Sequence, residues 1–600
     1  LTAVTFSELR TKIAANRARG LWTLMTGFRR AYVIAMVCLT LSMIAKTASF
    51  LLLAYFIDQV LLQGNVVSAV ALIAVTFVGL ALIEGVFSYL SGRFAAQTAE
   101  GITRRLRNFL FDHLQRLTFT YHDKSQTGDL IQRVTSDVSA IQRFYAEQVI
   151  ELGRVVLLFS VNFVALLLIN VQLALLSVLV VPIIAVVSIY FFRKVSKVYD
   201  EYQEADAKLS TVLQENLSGV RVVKAFARQP YEEKKFDVEN TNRYQKGRKL
   251  LAMHSVYWPI TDVLASVQMV AGYAIGAVLA INGTITLGTY LAYVGMVIWI
   301  IQPMRGLGRI IVQASTGLVS FDRIAEIVRV DQEPLTEGTH QAEKPLEGDV
   351  RFENVSFEYV PGVQVLRNIT FHARPGEIVA LLGGTGSGKT SLLALLPRFY
   401  DYSSGSIRLD GVELTDYTRE YLRANIGIVE QEPFLFSRTI RENIAYGVSR
   451  PVTEEEIQDA ARAAAVHDVI LSFPDGYDTI VGEKGVTLSG GQKQRVTIAR
   501  TILKNPRILL LDDATSSVDT ETEAQIRTAL ENLMANRTTF IIAHRIQSVM
   551  IADQILVMDK GEIVQRGSHD GLVSQPGMYR DIYQLQAQIE DDLEKELASV

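Results

Sequence analysis

Six hundred residues are too many for one hydrophobic core and predict two or three folding units. A net charge of −4 gives no reason to expect a nucleic acid as partner. One cysteine, Cys38, excludes an intrachain disulfide and leaves the redox compartment unread. Mean hydropathy of +0.21 averages two unlike halves, a first with long apolar runs and a second that reads as an ordinary α/β domain.

A helical crossing of a bilayer needs roughly 20 apolar residues, and six stretches qualify, at roughly 31–56, 66–92, 146–169, 172–193, 257–281 and 288–312. The first is too long and too deep to read as a cleaved signal peptide. Turns are expected near Asn170 and at Asn282-Gly283-Thr284. The short connections Ile57–Val66, Ile169–Leu173 and Ala280–Leu287 contain no Lys or Arg, whereas Arg29, Arg30, Arg104, Arg105, Arg107, Arg193, Lys194 and Lys197 sit at the opposite ends. The positive-inside rule then places both termini in the cytoplasm. Buried helices of a soluble protein would not segregate charge in this way.

Between crossings two and three, and four and five, charged stretches of roughly 50 residues are predicted to continue the helices inward as stalks. The stalks must turn back around Tyr121–Gly128 and Gly219–Phe226, and these turns either reach a cytoplasmic domain or are merely solvated. Charges within apolar spans are costly, and Lys46 and Glu84, on neighbouring crossings, could pair. Arg305 lies beside Pro303, which can kink its helix. Tyr257, Trp258, Trp299 and Gln302 are candidates for a ligand cavity, although such residues more often anchor helices at the interface or hold them together.

Composition shifts from about Val328, where Pro334, Gly338 and Pro345 mark a linker over 328–347. Residues 1–327 form the expected membrane domain, 348–585 a nucleotide-binding domain opening on a strand at Val350, and 586–600 an acidic tail. Glu377–Leu382 reads as a buried strand, followed by Gly383-Gly384-Thr385-Gly386-Ser387-Gly388-Lys389-Thr390 and a helix from Ser391. Strand, glycine-rich loop and helix in that order is the context a P-loop requires. Glycines let backbone N–H groups converge on phosphates, Lys389 reaches the β- and γ-phosphates, and Thr390 is placed for Mg²⁺. The apolar run Ile508–Leu511 ends in Asp512, as a strand carrying a Mg²⁺-directed aspartate does. The two motifs together predict binding of a nucleoside triphosphate.

Leu488-Ser489-Gly490-Gly491-Gln492 resembles the signature sequence of ATP-binding cassettes. Further elements are similar to that family: Tyr359 to the aromatic that stacks on adenine, Gln431 to the Q-loop, Ser516-Ser517-Val518-Asp519 to the D-loop, His544 to the switch histidine, and Thr479–Gly485 to the exporter X-loop. The resemblance spans essentially the whole chain. It implies an all-α transmembrane domain of six long helices fused to an α/β P-loop NTPase domain, with ATP and Mg²⁺ as cofactors. It further implies that the residues from Gly383 to Ser391 hold phosphate, that Thr390, Gln431 and Asp512 serve the metal, and that Asp513, His544 and Gln431 serve hydrolysis. The signature faces a partner cassette in this family, so a second half-transporter is implied, in a multi-pass protein expected in a bacterial cytoplasmic membrane. The function expected is ATP-driven export of a hydrophobic or amphipathic drug, lipid or peptide. Six crossings argue against a soluble ATPase, the missing charged insertion against an ATP-gated channel, and the fused membrane part against an importer.

One position departs from the pattern. Where the family usually has glutamate after the metal-directed aspartate, this chain has Asp513, whose carboxylate is one C–C bond, roughly 1.5 Å, nearer the backbone. A general base must approach to roughly 2.6–3.2 Å. The expectation is a site that binds ATP and hydrolyses it slowly, within a heterodimer whose other chain carries the glutamate. The alternative is a homodimer with slow turnover.

Overall fold

A computed structural model describes residues 17–62, 68–340, 345–482, 488–512, 520–543 and 546–598. The chain divides into two compact units, one of Leu1–Leu117 with Ser125–Asp331, the other of Thr118–Lys124 with Gln332–Val600.

In the first unit six helices are long and apolar enough to cross a membrane: Arg29–Leu61, Ala69–Gln115, Thr127–Ile169, Val171–Ser218, Gln229–Ile281 and Leu287–Arg329. Helices satisfy every backbone group internally, which is what hydrocarbon demands. Five of them, at 43 to 53 residues, are much longer than a crossing needs, so the charged stretches do continue the helices as the sequence suggests. Asn170 separates the third and fourth spans by leaving helical geometry (φ −158°, ψ 120°) and accepting the Leu173 N–H on Oδ1 at 3.1 Å, an N-cap. Thr286 caps the sixth span through the Thr289 N–H at 3.1 Å. Just inside that cap Asp58 of the first span accepts the Gly288 N–H at 2.8 Å. A Cβ on Gly288 would meet the Ala54 carbonyl oxygen at 2.3 Å, so the two backbones approach this closely only because the residue is glycine.

Apolar surface is turned outward over much of this unit. Leu72, Val75, Val78, Leu82 and Val86 of the second span are all exposed. In water that would be a liability; against lipid or another apolar helix it costs nothing. The interior is apolar too, with Tyr293, Met296, Val297, Ile300 and Ile301 of the sixth span fully buried among spans three, four and five.

The second unit holds two sheets. One is antiparallel, ordered β2-β1-β4-β5, from β1 (Val350–Val360), β2 (Val363–Ala373), β4 (Ser404–Leu409) and β5 (Val412–Glu413). Phe352 and Phe371 face each other across its first pair with ring centroids 4.5 Å apart, an aromatic cross-strand pair. The other sheet is ordered β10-β9-β3-β8-β7-β6, from β3 (Ile378–Gly383), β6 (Ile426–Val429), β7 (Ile508–Asp512), β8 (Thr538–Ile542), β9 (Gln554–Asp559) and β10 (Glu562–Gly567). All its pairings are parallel except β10 with β9. A parallel sheet covered on both faces needs continuous apolar strands, and Ile508-Leu509-Leu510-Leu511 and Thr538–Ile542 are buried throughout.

The segment Thr118–Lys124, inserted between the second and third spans, belongs to this second unit. Its short helix Phe119–Lys124 puts the Phe119 ring on Phe399 at 4.1 Å, and Tyr400 donates its hydroxyl hydrogen to Asp123 at 2.5 Å. Burial raises the Tyr400 phenol above its ordinary range, and the Asp123 carboxylate adds to the shift. After the sixth span, the Glu333 side chain keeps only 8% of its surface, pairing with Arg423 at 2.5 Å and lying 3.3 Å from Arg419. The stretch 328–347, predicted as a linker, thus begins inside a helix that runs to Arg329 and is anchored four residues later.

Candidate nucleotide site

The site is built at the carboxyl ends of parallel strands, where open α/β sheets bind ligands. Strand β3 ends at Gly383 and the chain turns through the glycine loop into the helix Lys389–Leu395. Gly386 and Gly388 have φ of +80° and +101°, backbone conformations that side chains oppose, which is why glycine stands at both. A Cβ on Gly388 would also meet the Leu366 side chain at 2.6 Å.

Lys389 is buried and its ammonium donates to the carbonyls of Gly383 and Gly384, both at 2.8 Å, with Ser387 Oγ at 3.4 Å. Burial pushes its pKa below the ordinary lysine value while the Asp512 carboxylate pulls the other way. The hydroxyl of Thr390 lies 3.5 Å from Asp512 Oδ2. One hydroxyl and one carboxylate oxygen, both hard donors, thus meet beside the phosphate loop, a donor set suited to Mg²⁺. The sheet order explains the meeting: β8 alone separates β3 from β7, with Leu381 in register with Ile542 and Ile542 with Asp512. Val429 pairs with Leu511 on the other side, which sets exposed Gln431 just past the end of β6, next to the strand that ends in Asp512.

Tyr359, at the end of β1, is 41% exposed. Its hydroxyl is 3.0 Å from Ser391 Oγ in the phosphate-loop helix, and its ring meets Tyr400 edge-on at 5.0 Å. One ring face can therefore stack a base while the hydroxyl holds the ring to the phosphate side. Thr385 and Gly384 are exposed within the loop.

The signature has a local explanation. Ser489 is the N-cap of the helix Gly490–Lys504: its Oγ accepts the Gln492 N–H at 3.3 Å, and Gln492 Oε1 accepts the Ser489 N–H at 2.9 Å. Ser-Gly-Gly-Gln is a capping box, leaving the amides of Gly490 and Gly491 at the positive end of a fifteen-residue helix. Ser489→Ala should cost about 1 kcal/mol of local helix stability. Faster amide hydrogen exchange over 490–494, with exchange in β3 unchanged, is the expected record of it.

Asp513, His544, the stretch Ser516–Asp519 and residues 483–485 of the Thr479–Gly485 segment lie outside the described residues. Among the intramembrane candidates, Lys46 and Glu84, which the sequence placed within reach of each other, pair at 3.1 Å. Tyr257 is only 2% exposed and donates to the Arg305 carbonyl at 2.8 Å, with Ser188 Oγ at 2.7 Å, so it ties helices together and does not line a cavity. Arg305 pairs with Asp262 at 2.6 Å, a partner the sequence reading passed over. Opposite charges in neighbouring apolar spans were the available signal, as for Lys46 and Glu84.

A parallel sheet with this phosphate loop, fused to six membrane-length helices, defines a membrane-bound transport ATPase, and the chain belongs to the ABC transporter family. Residues 32–304 match the ABC transporter transmembrane region and residues 366–516 the ABC transporter domain. An ABC transporter ATP-binding protein of Bacillus subtilis (strain 168), YknU, uncharacterized, is 37% identical over 93% of this chain and 95% of its own length. An ATP-dependent lipid A-core flippase of Syntrophus aciditrophicus (strain SB) is 35% identical over 92% of each chain. A putative multidrug export ATP-binding/permease protein of Bacillus subtilis (strain 168), YgaD, is 34% identical over 89% of this chain and 93% of its own. The structure of a bacterial Atm1-family ABC exporter with ATP bound superposes with a TM-score of 0.79 at 27% identity, covering 93% of this chain and 98% of that one. The chain is thus an integral multi-pass protein of exporter architecture that binds ATP through its cassette.

Proposed function

We propose that this chain is the weaker half of a heterodimeric ATP-driven exporter of hydrophobic or amphipathic compounds, a drug, lipid or peptide. The observation that carries the reading is the approach of Thr390 to Asp512 beside the buried Lys389, in a chain that also supplies six membrane-length helices. Lys389 and the loop amides from Gly383 to Ser391 hold the phosphates, and Tyr359 stacks the base. Thr390, Asp512 and Gln431 serve Mg²⁺, which neutralises phosphate charge when bound. His544 holds the γ-phosphate, and Asp513 is the short-reaching group that faces the attacking water. Ser489, Gly490, Gly491 and Gln492 face the nucleotide of the other chain, which carries glutamate at the position of Asp513. Names of relatives that move lipid A-core or export drugs support an amphipathic cargo. The basic ends of the spans support cytoplasmic termini in a bacterial inner membrane. Transport follows if ATP binding and substrate binding favour different states of the helices, since a ligand shifts populations only through differential affinity.

Purified with and without its partner chain in liposomes, the protein should hydrolyse ATP rapidly only as the pair, and inside-out vesicles should accumulate substrate with ATP. Fast turnover by the lone chain would establish the homodimer instead, and ATP-dependent efflux from such vesicles would exclude export.

A further inference from the structure

Lys46, Glu84 and Trp299 come from the first, second and sixth spans and meet at one point. The Lys46 ammonium lies 3.1 Å from Glu84 Oε1 and 3.6 Å from the centroid of the Trp299 ring. Ser42 Oγ donates to the Glu84 carbonyl at 3.0 Å, fixing the first span against the second one turn away. Between Arg30 and Asp58 the only Asp, Glu, Lys or Arg is Lys46, and between Ser68 and Arg93 the only one is Glu84. At 1.5 Å per residue, Lys46 lies about 24 Å along its helix from Arg30, and Glu84 about 24 Å from Ser68. Both charges are therefore deep within the hydrocarbon, where isolated charges are expensive and mark substrate pathways.

The cluster is open: the Lys46 and Glu84 side chains keep 22% and 30% of their surface and Trp299 keeps 37%. A carboxylate with an indole face is the donor set that binds an ammonium, and Lys46 supplies one from the protein itself. A monocation displacing Lys46 would strand a lysine charge in a low-dielectric place, and a monoanion drawing Lys46 away would strand Glu84. A ligand with one charge of each sign strands neither: its ammonium takes Glu84 and Trp299 while its anion takes Lys46. We propose that Lys46, Glu84 and Trp299 form the headgroup site of this exporter, and that it takes a zwitterionic amphiphile, either a phospholipid-like molecule or a hydrophobic peptide with free termini. The proposal rests on the export reading above.

The chain has three tryptophans, so Trp22→Phe with Trp258→Phe leaves Trp299 as the sole indole reporter. The full chain in phosphatidylglycerol nanodiscs is titrated, without nucleotide, with dodecylphosphocholine, the phosphodiester dodecyl methyl phosphate and dodecyltrimethylammonium. The zwitterion should shift Trp299 emission saturably and bind at least about tenfold tighter than either singly charged congener, a difference of about 1.4 kcal/mol. Lys46→Met should transfer the preference to the cation and Glu84→Gln to the anion. The exchanged pair Lys46→Glu/Glu84→Lys, neutral overall, should keep the zwitterion preference. A lysophosphatidylethanolamine and a Leu-Phe-Leu tripeptide then separate the two sources by which binds tighter. Equal binding of the three headgroups, no saturable change, or a singly charged congener binding tightest in the unsubstituted pair overturns the proposal. If a variant fails to fold, the ranking in the unsubstituted pair decides alone. Because no ATP is present, failure here leaves ATP-driven flux standing, and failure of flux leaves this ranking standing.

Discussion

Asp513→Glu should raise ATP turnover at this chain's own site by about 10- to 100-fold. The argument is one of reach. Aspartate and glutamate carry the same charge and similar intrinsic pKa values, so basicity does not separate them. A carboxylate withdrawn by one C–C bond stands about 1.5 Å from where the longer side chain would hold it. A displacement on the order of 1 Å costs about 100-fold where a base must meet a water at hydrogen-bond distance. The substitution alters none of the residues of the phosphate site itself, including Thr390, Asp512 and the buried Lys389. ATP affinity should therefore stay unchanged while turnover rises. The measurement is steady-state ATPase activity of the pair with the partner's catalytic carboxylate neutralised, so that only this site reports. Unchanged turnover would show that something other than side-chain length limits the site.

Glu333→Ala should destabilise the nucleotide-binding unit by about 3 kcal/mol, at the low end of the 3–5 typical for breaking a buried ion pair. Glu333 keeps 8% of its side-chain surface and receives both Arg423 terminal nitrogens, at 2.7 and 2.5 Å, with Arg419 Nε 3.3 Å away. Burial already holds the Arg419 guanidinium below its ordinary pKa, with Asp401 and Glu333 opposing the shift. Removing Glu333 leaves Arg419 its 2.7 Å contact with Asp401, and Arg423 is a quarter exposed, so hydration recovers part of the loss. These two residual partners are why the low end is expected. Hydrogen exchange over Arg419–Asn425 should accelerate, and the thermal midpoint of the cassette should fall. Glu333→Gln, which keeps the shape and loses the charge, should fall between the two proteins. Equal stability of all three would show that the cluster contributes nothing net.

Such a cluster was not legible beforehand. Glu333 lies in a polar stretch with Pro334 and Gly338, and its composition is that of a linker. Its partners are some 90 residues away in sequence. The same holds for Phe119 and Asp123: the turn between the stalks could be read, but not the rings of Phe399 and Tyr400 that they meet.

Local patterns carried their own interpretation. Six apolar lengths, the glycine loop before Lys389, the strand ending in Asp512 and the Leu488–Gln492 signature each lie within a few residues, where backbone geometry and hydrophobic period leave few alternatives. Those determined a membrane half joined to an ATP-binding half. The tertiary structure decided which distant residues share a place: β8 between β3 and β7, so that Thr390 reaches Asp512, Tyr257 withdrawn into helix packing, and Trp299 laid against the Lys46–Glu84 pair. Such encounters are set by how whole helices and strands pack, through many weak contacts that no short stretch of sequence contains.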